Sequence, residues 1–402
     1  MTTEWTRTSD PRQLTPSTCW ILGAGASYDC FSEGEKAVPL TRDLIDSARN
    51  IRIVSHDVME RTLHLLSVAY GTPDVEPDEA FGSGIEATFD AIRGLCKHRD
   101  VELSSQAKTC LRDLTSMIAR VVSQSQCGGQ VVKGQLMIRR RTADDPPRDK
   151  AVFMGDVPEN YAWLVNGCIH NDKWSVVTLN FDSILDWVFR LALKEGAPCP
   201  QYEQWAESVE MLVSGCAEGG RVSHGGYVKL HGTFDLYSCH NPDCTHYRTP
   251  FLADKRQDPT AFSVMLKVEK TCPKCGSDAL PLILPPGRNK VRGEGLYHEM
   301  VYSAAASYLG ASDTWVILGY SCPDYDRDVT EILLRAMEEP AASGEKRSII
   351  VISPDCLDVG QRLSEHLADM SKTAARYTLT SVFPMQMTFS EVVENCTRGG
   401  FK

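Results

Sequence analysis

Residues 19–27 read Cys-Trp-Ile-Leu-Gly-Ala-Gly-Ala-Ser, an apolar run that passes directly into glycine and other small residues. Four later runs end in the same abrupt way. They are 174–179 before Asn180-Phe181-Asp182, 227–230 before His231-Gly232, 315–318 before Gly319-Tyr320-Ser321, and 349–352 before Ser353-Pro354-Asp355. Amphipathic stretches such as 183–194 separate several of them, and this alternation is typical of strands followed by helices. The sequence therefore predicts an α/β fold with a parallel sheet.

The polar residues that follow the five runs are the first candidates for a functional site. In parallel α/β sheets, ligands bind in the crevice beyond the carboxyl ends of the strands. Because all five polar clusters stand at predicted carboxyl ends, we expect them to line one crevice.

The composition is acidic, with 42 Lys and Arg against 53 Asp and Glu and a formal net charge of −11. Proteins that coat nucleic acid or anionic membranes need a basic field. No apolar run approaches the roughly 18 residues of a spanning helix. The polar N-terminus does not resemble a secretory signal. We therefore expect a cytoplasmic protein with no membrane contact and no direct sequence-specific nucleic-acid binding.

Fifteen cysteines are present, which in a reducing compartment indicates thiols or metal ligands rather than disulfides. Four of them form two pairs of the type Cys-x4-Cys and Cys-x2-Cys, 27 residues apart. These are Cys239, Cys244, Cys272 and Cys275. The spacing predicts a closed, structural zinc site of four thiolates. Four independent buried cysteines are the alternative, and His240 or His246 is close enough to replace one thiolate.

Residues 23–27 follow a predicted strand, and we expect the next helix to begin near Leu40. Exposed amides in such a glycine-rich turn can hold a diphosphate, although an ordinary tight turn has the same sequence pattern. Asn180 can orient a water or a sugar hydroxyl, and Asp182 can accept a hydrogen bond from a carboxamide. His231 is a candidate general base near neutral pH. A histidine satisfied by backbone groups at a strand end is the alternative.

Taken in order, these motifs resemble those of the sirtuin family over roughly residues 17–360. The resemblance implies a Rossmann-like NAD⁺-binding domain that carries an inserted zinc module and a helical insertion. It implies that Asn180 faces the nicotinamide ribose, that Asp182 faces the carboxamide, and that His231 is the catalytic base. The implied cofactor-binding residues are Gly23, Ala24, Gly25, Ala26 and Ser27 for the diphosphate, Asp182, and Gly319, Tyr320, Ser321, Ser353 and Asp355 for phosphate or adenosine ribose.

Four segments depart from the deacylating sirtuins, namely residues 35–41, 178–182, 284–290 and 318–326. In this form they look like the bacterial sirtuin-like proteins of anti-phage defence, which cleave NAD⁺. The resemblance then implies an NAD⁺ glycohydrolase (NADase), a hydrolase that releases nicotinamide and ADP-ribose and depletes NAD⁺ in abortive infection. It also implies a homo-oligomer, sometimes with a HerA-type ATPase as partner.

Two rival functions use the same pocket: an NAD⁺-dependent protein deacylase or ADP-ribosyltransferase, and a non-catalytic NAD⁺ or ADP-ribose sensor that acts through a partner. A zinc-dependent nucleic-acid binder is a third.

The expected organisation places the Rossmann-like domain in three pieces around two insertions. The boundaries are 1–50 for its start, 51–150 for a helical insertion ending in an exposed loop from 127, 151–235 for its continuation, 236–281 for the zinc-binding module, 282–370 for its end, and 371–402 for a C-terminal extension.

Overall fold

The computed structural model describes residues 17–28, 56–71, 85–127, 134–139, 150–155, 157–171, 173–194, 197, 226–239, 241, 243–247, 250–252, 270–284, 296–323, 326–338, 347–370 and 382–397.

The main sheet has six strands, all of which run parallel. They are β1 (Thr18–Leu22), β4 (Ser175–Thr178), β5 (Tyr227–Lys229), β10 (Thr314–Leu318), β11 (Ser348–Ile352) and β12 (Val382–Met385). Their spatial order is β12-β11-β10-β1-β4-β5. Counted among themselves along the chain, they follow the order 3-2-1-4-5-6 of doubly wound Rossmann folds. The predicted α/β fold with a Rossmann-like parallel sheet is confirmed.

The central strands are apolar along their whole length because both faces of the sheet are covered. Every residue of β1, β4 and β10 is buried. Trp20 of β1 packs against two further tryptophans, with its ring centroid 5.6 Å from that of Trp163 and 5.2 Å from that of Trp174. This continuous burial holds the carboxyl ends of the strands in place, where the candidate site residues lie.

Helices flank and extend the sheet within the described residues. They are α1 (Ala24–Tyr28), α2 (His56–Tyr70), α3 (Ile85–Leu95), α4 (Val101–Cys127), α5 (Glu159–His170), α6 (Ile184–Lys194), α7 (Leu296–Gly310), α8 (Arg327–Glu338), α9 (Cys356–Met370) and α10 (Phe389–Thr397). Among them, no helix is both long and apolar enough to cross a membrane.

The first helix begins at Ala24, inside the glycine-rich turn, whereas the sequence predicts a start near Leu40. Leu40 itself lies outside the described residues. Glycine at positions 23 and 25 disfavours helix in isolation. The turn is nevertheless helical because backbone hydrogen bonds to the end of β10 hold it in place.

The helical pattern of residues 51–126 corresponds to α2, α3 and α4, which pack on one another. Buried side chains of these helices, among them Leu66, Phe89 and Ile118, belong to the same continuous apolar core as the sheet. These three helices are therefore packed into the core of the chain.

An antiparallel hairpin pairs β2 (Gly134–Arg139) with β3 (Lys150–Gly155). Composition predicts an exposed loop over 127–150, and the hairpin corrects that expectation for the described part. A short strand-forming run at 136–138 lies between glycine-rich and charged flanks, and these flanks dominate the composition of the segment. Residues 139–141 are three consecutive arginines, of which Arg139 ends β2, and residues 140 and 141 lie outside the described residues.

A second, antiparallel sheet carries the cysteine pairs. Its strands are β6 (Gly232–Cys239), β7 (Phe251–Leu252), β8 (Lys270–Thr271) and β9 (Asp278–Ile283), in the order β7-β6-β9-β8. A short 3-10 helix, Thr245–Tyr247, follows the first cysteine pair. Because β6 begins directly after the turn that holds His231, this sheet is joined to the carboxyl end of β5.

The loop after β1 and the end of β10 meet backbone to backbone. The amide of Gly23 donates to the carbonyl of Leu318 at 2.9 Å, and the amide of Gly25 donates to the carbonyl of Gly319 at 2.9 Å. Gly319 has φ +62°, and a Cβ there would lie 2.3 Å from the amide nitrogen of Ala26. Only glycine fits both conditions.

We predict that Gly319→Ala lowers the free energy of unfolding by about 2–3 kcal/mol, because the added Cβ meets backbone at a left-handed φ. Urea denaturation followed by circular dichroism measures this change. Gly94→Ala is the matched control: Gly94 lies near the end of α3, where an added Cβ would have no neighbouring atom within 4 Å, so alanine should gain up to about 1 kcal/mol. Equal effects of the two substitutions would contradict the prediction.

Candidate functional site

The candidate site lies where the strand order reverses, at the carboxyl ends of β1 and β10. A crevice at such a switch point is where doubly wound sheets bind their ligands. The loop of residues 23–27 forms one wall, and three of its amides already donate to carbonyls: Gly23 to Leu318, Gly25 to Gly319, and Ala26 to Gly23. Diphosphate binding by this loop stays a prediction, and it must use donors other than these three.

Ser27 is the centre of a buried hydrogen-bond network. Its hydroxyl is fully buried and donates to Asp182 Oδ2 at 2.6 Å. The same oxygen accepts a hydrogen bond from Asn180 Nδ2 at 2.8 Å and lies 2.7 Å from the hydroxyl of Tyr161. Since the single Ser27 proton points to Asp182, Tyr161 is the donor in its pair. Residues from three separate parts of the chain therefore meet at one oxygen.

Asn180 follows β4 and turns its amide nitrogen towards the loop. Nδ2 donates to the carbonyl of Gly23 at 2.9 Å as well as to Ser27. A carbonyl only accepts, so the atom facing Gly23 is the amide nitrogen. Both amide hydrogens are thus used, and within the described residues Oδ1 has no partner. Asn180 offers the crevice a fixed hydrogen-bond acceptor.

Asp182 lies just before α6 and is 5% exposed. Its Oδ1 accepts from the amide of Ile184 at 3.1 Å, and its Oδ2 accepts from Ser27. Burial raises the pKa of Asp182 above its usual range, while Lys229 and the Ser27 hydroxyl act in the opposite direction. The carboxyl group is therefore held in place by the same loop that it faces.

Lys229, Asp186 and Tyr227 form a buried group behind this loop that the sequence analysis did not single out. Lys229 Nζ lies 2.5 Å from Asp186 Oδ2, and both side chains are at most 1% exposed. Tyr227 donates its hydroxyl to Asp186 Oδ1 at 3.1 Å. A lysine within a predicted buried strand is the one signal that could have identified the group.

His231 lies in the turn between β5 and β6 and is 9% exposed. Its carbonyl accepts from the amide of Leu284 at 2.9 Å. Gly232, the next residue, has φ +94°, and a Cβ there would lie 2.0 Å from the carbonyl oxygen of Leu282. The sheet order places His231 at the end of the strand adjacent to β4. The turn geometry thus requires glycine directly after His231.

The remaining candidates lie at the ends of β10 and β11. Tyr320 is buried, donates its hydroxyl to Asp326 at 3.2 Å, and has its pKa raised well above the usual range by burial. The carbonyl of Ser321 accepts from the Arg362 guanidinium at 2.9 Å.

At the end of β11, Ser353 Oγ accepts from the amide of Asp355 at 3.2 Å. Ser321, Ser353 and Asp355 share the carboxyl edge of the sheet with residues 23–27, and none of the three forms a hydrogen bond to that loop among the described residues. Asp324 lies outside those residues.

The four paired cysteines come together as the spacing predicts. Their sulfur atoms all lie within 4.8 Å of one another, a group that could hold a metal ion. Cys239 and Cys275 are 3.4 Å apart and Cys244 and Cys272 3.8 Å, close to the about 3.8 Å between thiolates on tetrahedral zinc. The thiols therefore fit a structural Zn²⁺ that would cross-link the small sheet.

One of the two histidines near this group in sequence, His246, lies beside a thiol of the group. His246 Nδ1 lies 3.6 Å from Cys272 Sγ, and its ring stacks on Phe251. His240 lies outside the described residues. Hydrogen bonds donated by the hydroxyl and the amide of Ser277 lower the pKa of Cys275 to about 6, so this exposed thiol is ionised most readily.

No protein-family model matches the chain, and no curated protein matches it in sequence. Among solved structures, the chain is similar to a Sir2 homologue in complex with NAD, at 13% identity over 99% of this chain and 93% of that chain, with a TM-score of 0.39. A structure of a Sir2 enzyme matches at 13% identity over 94% of this chain and 100% of that chain, with a TM-score of 0.37. A Sir2 homologue in complex with 2′-O-acetyl ADP ribose matches at 13% identity over 93% of this chain and 98% of that chain, with a TM-score of 0.36. The parallel sheet and its strand order, rather than these likenesses, define the fold.

We predict that Ser27→Ala destabilises the protein more at neutral pH than at acidic pH. The hydroxyl stabilises the ionised Asp182, so its loss matters while that carboxyl is charged and matters less as the pH falls through its raised pKa. Urea unfolding at several pH values measures the difference from wild type, about 1–3 kcal/mol at neutral pH. Ser307→Ala, on the exposed side of α7, should give a difference that does not vary with pH.

We predict that Cys272→Ser releases the metal and unfolds the small sheet while the main sheet stays folded. Among the described residues, the buried apolar cluster around the cysteines contains six members, namely Tyr237, Cys239, Cys244, Phe251, Cys272 and Ala279. A cluster of that size does not support a fold without a cross-link. Atomic emission for bound zinc and limited proteolysis test this, with Cys168→Ser, a substitution in the main core, as the zinc-retaining control. Full zinc content in Cys272→Ser would contradict the four-thiolate site.

Proposed function

We propose that the chain is a sirtuin-like NAD⁺ glycohydrolase that cleaves NAD⁺ to nicotinamide and ADP-ribose. The observation that carries the proposal is the position of Asn180: Gly23 and Ser27 hold its amide nitrogen at the switch point of the sheet, and its Oδ1 remains as an acceptor. A dinucleotide is the ligand class that this part of a doubly wound sheet binds. The order of the sequence motifs supports NAD⁺ as that dinucleotide.

The reaction breaks the bond between ribose C1′ and the nicotinamide nitrogen. The electron pair of that bond returns to the positively charged ring, so nicotinamide leaves as a neutral molecule and needs no general acid. The ribose passes through an oxocarbenium-like state, as at other glycosidic centres. Water then bonds to C1′ through its oxygen and gives up one proton to a base.

Each role in this reaction falls on a residue of the candidate site under the proposal. Asn180 Oδ1 accepts a hydrogen bond from the attacking water or from a ribose hydroxyl, and His231 takes the proton. Asp182 accepts from the carboxamide of nicotinamide. The distal half of NAD⁺ binds residues 23–27 and the ends of β10 and β11, so that remote binding energy orients the reacting bond. The contacts assigned there are Gly319, Tyr320, Ser321, Ser353 and Asp355.

We also propose the biological setting and organisation that the sequence resemblance implies. The activity would deplete NAD⁺ as an effector of bacterial anti-phage defence, in the cytoplasm, within a homo-oligomer and with a partner such as a HerA-type ATPase. The domain boundary at residue 50 belongs to the same proposal. The other expected boundaries, at residues 150, 235, 281 and 370, need correction. Residue 150 lies within the β2–β3 hairpin, residues 235 and 281 lie within β6 and β9, and β12, beyond residue 370, is a strand of the main sheet. The zinc ion would hold the small sheet and take no part in the reaction.

We predict that the purified full-length protein releases nicotinamide and ADP-ribose from NAD⁺ alone, and that Asn180→Ala and His231→Ala each lower the rate at least about 100-fold. Chromatography of the products measures both. His64→Ala is the matched control, since His64 is exposed on α2. Thermal unfolding of each variant checks that the fold is kept.

The other outcomes separate the rival functions. Turnover that requires an acyl-lysine peptide, or label transferred to protein, would support a deacylase or ADP-ribosyltransferase instead. Tight NAD⁺ binding without turnover, with or without a partner, would support a sensor. Unchanged rates in both variants would overturn the assignment of Asn180 and His231.

A further inference from the structure

A lysine is fully buried at the end of β5, immediately behind the candidate site. Lys229 is 0% exposed, and its ammonium group pairs with Asp186, which is also 0% exposed. Removing both charges from water carries a penalty of several kcal/mol for each ion, and a pair of well-packed apolar side chains would often be equally stable or more so. Stability alone therefore does not account for this pair.

The ammonium group has a second acceptor that connects it to the site. Lys229 Nζ also donates to the main-chain carbonyl of Asp182. That carbonyl belongs to residues 179–183, the segment between β4 and α6 that carries Asn180 and Asp182. On its other side, the segment is held by Ser27 through the Asn180 amide and the Asp182 carboxylate.

Lys229 thus attaches this segment to β5, and Ser27 of the loop after β1 attaches it on the other side. The amide of Leu179 also donates to the carbonyl of Leu22, at the end of β1, at 2.8 Å. Lys229 stands two residues before His231 on the same strand end. The main chain at Lys229 is itself anchored, because the Tyr297 hydroxyl donates to its carbonyl at 2.8 Å. One side chain therefore links the segment that carries Asn180 to the strand that leads to His231.

We propose that Lys229 is a positioning residue: its ammonium group, oriented by Asp186, holds residues 179–183 against β5 and so sets the separation of Asn180 and His231. This inference rests on the proposed NAD⁺ hydrolysis for its consequence in catalysis. Lys229 touches no reacting atom. A small misplacement of a positioned group can lower a rate by about 100-fold while substrate binding is kept.

The test removes both charges together, since Lys229→Met alone removes the ammonium group and leaves the buried Asp186 carboxylate charged. The variant is Lys229→Met with Asp186→Asn, in which the asparagine oxygen still accepts from Tyr227. Arg347→Met is the matched control. Arg347 is also a buried cation, and it donates to the main-chain carbonyls of Gly310, Ser312 and Ala336. Unlike Lys229, it directly precedes β11, which lies in the other half of the sheet from β5.

Hydrogen–deuterium exchange of the full-length protein gives a readout that needs no turnover. In the double variant we expect amides of 179–183 to exchange at least about tenfold faster than in wild type, with β10 and β11 unchanged. Nicotinamide release should show kcat lowered at least about tenfold and KM within about twofold. Arg347→Met should leave both the exchange of 179–183 and kcat as in wild type.

The results separate the two proposals. Unchanged exchange of 179–183 in the double variant, or an equal rise across the whole main sheet, overturns the positioning role, and so does an unchanged kcat. Absence of nicotinamide release from the wild-type protein overturns the proposed hydrolase and the catalytic consequence of Lys229. In that case the exchange rates of residues 179–183 alone decide whether Lys229 holds the segment.

Discussion

The backbone contact between the loop after β1 and Gly319 is the constraint on which the rest of the site depends. Hydrogen bonds from Gly23 and Gly25 to the end of β10 join the two halves of the sheet at the point where the strand order reverses. The distance between these backbones leaves no room for a Cβ at position 319. Because the loop is held in this way, the Ser27 hydroxyl reaches the residues that follow β4 and forms hydrogen bonds with Asn180 and Asp182.

The polar side chains of the site are held in position by hydrogen bonds and an ion pair with other buried polar groups. Ser27 joins Tyr161, Asn180 and Asp182, and Lys229 joins Asp182 to Asp186. In surroundings of low polarity each of these hydrogen bonds is strong, and each unpaired group would be costly. Such a network fixes positions better than apolar packing does, since a hydrogen bond specifies both distance and direction. The geometry fits a site that orients a ligand.

The small antiparallel sheet follows from a different physical principle. Among the described residues, the buried cluster around the cysteines is small, whereas Phe234, Leu236 and Ile283 at the other end of the sheet pack into the main core. A metal ion bound by the four thiols would supply the cross-link at the cysteine end. The sheet begins at Gly232, directly after His231, and the carbonyl of His231 accepts from the amide of Leu284, which follows β9 at the same end of the sheet. A metal that takes no part in chemistry would therefore still support the turn in which His231 lies.

Features that depend on neighbouring residues could be predicted from the sequence alone. Continuous apolar runs at 19–22, 174–179 and 315–318 indicated buried parallel strands, because a strand covered on both faces has no polar side. The spacing of the cysteine pairs indicated the four-thiol group, because two short turns can each offer two ligands. The candidate residues at the strand ends followed from the same local pattern. The apolar runs thus located every strand of the main sheet except β12, which is short and only partly buried.

Which of these residues meet was settled by the tertiary structure. Ser27 and Asp182 are 155 residues apart in the chain, and Lys229 and Asp186 are 43 apart, so no local pattern could pair them. The helical start at Ala24 also escaped prediction, since the hydrogen bonds that impose it come from β10. The same holds for the amides of Gly23 and Gly25, which a glycine-rich sequence presents as free donors and which donate to carbonyls at the end of β10. Long-range contacts depend on the order of strands in space, and that order is a property of the folded chain.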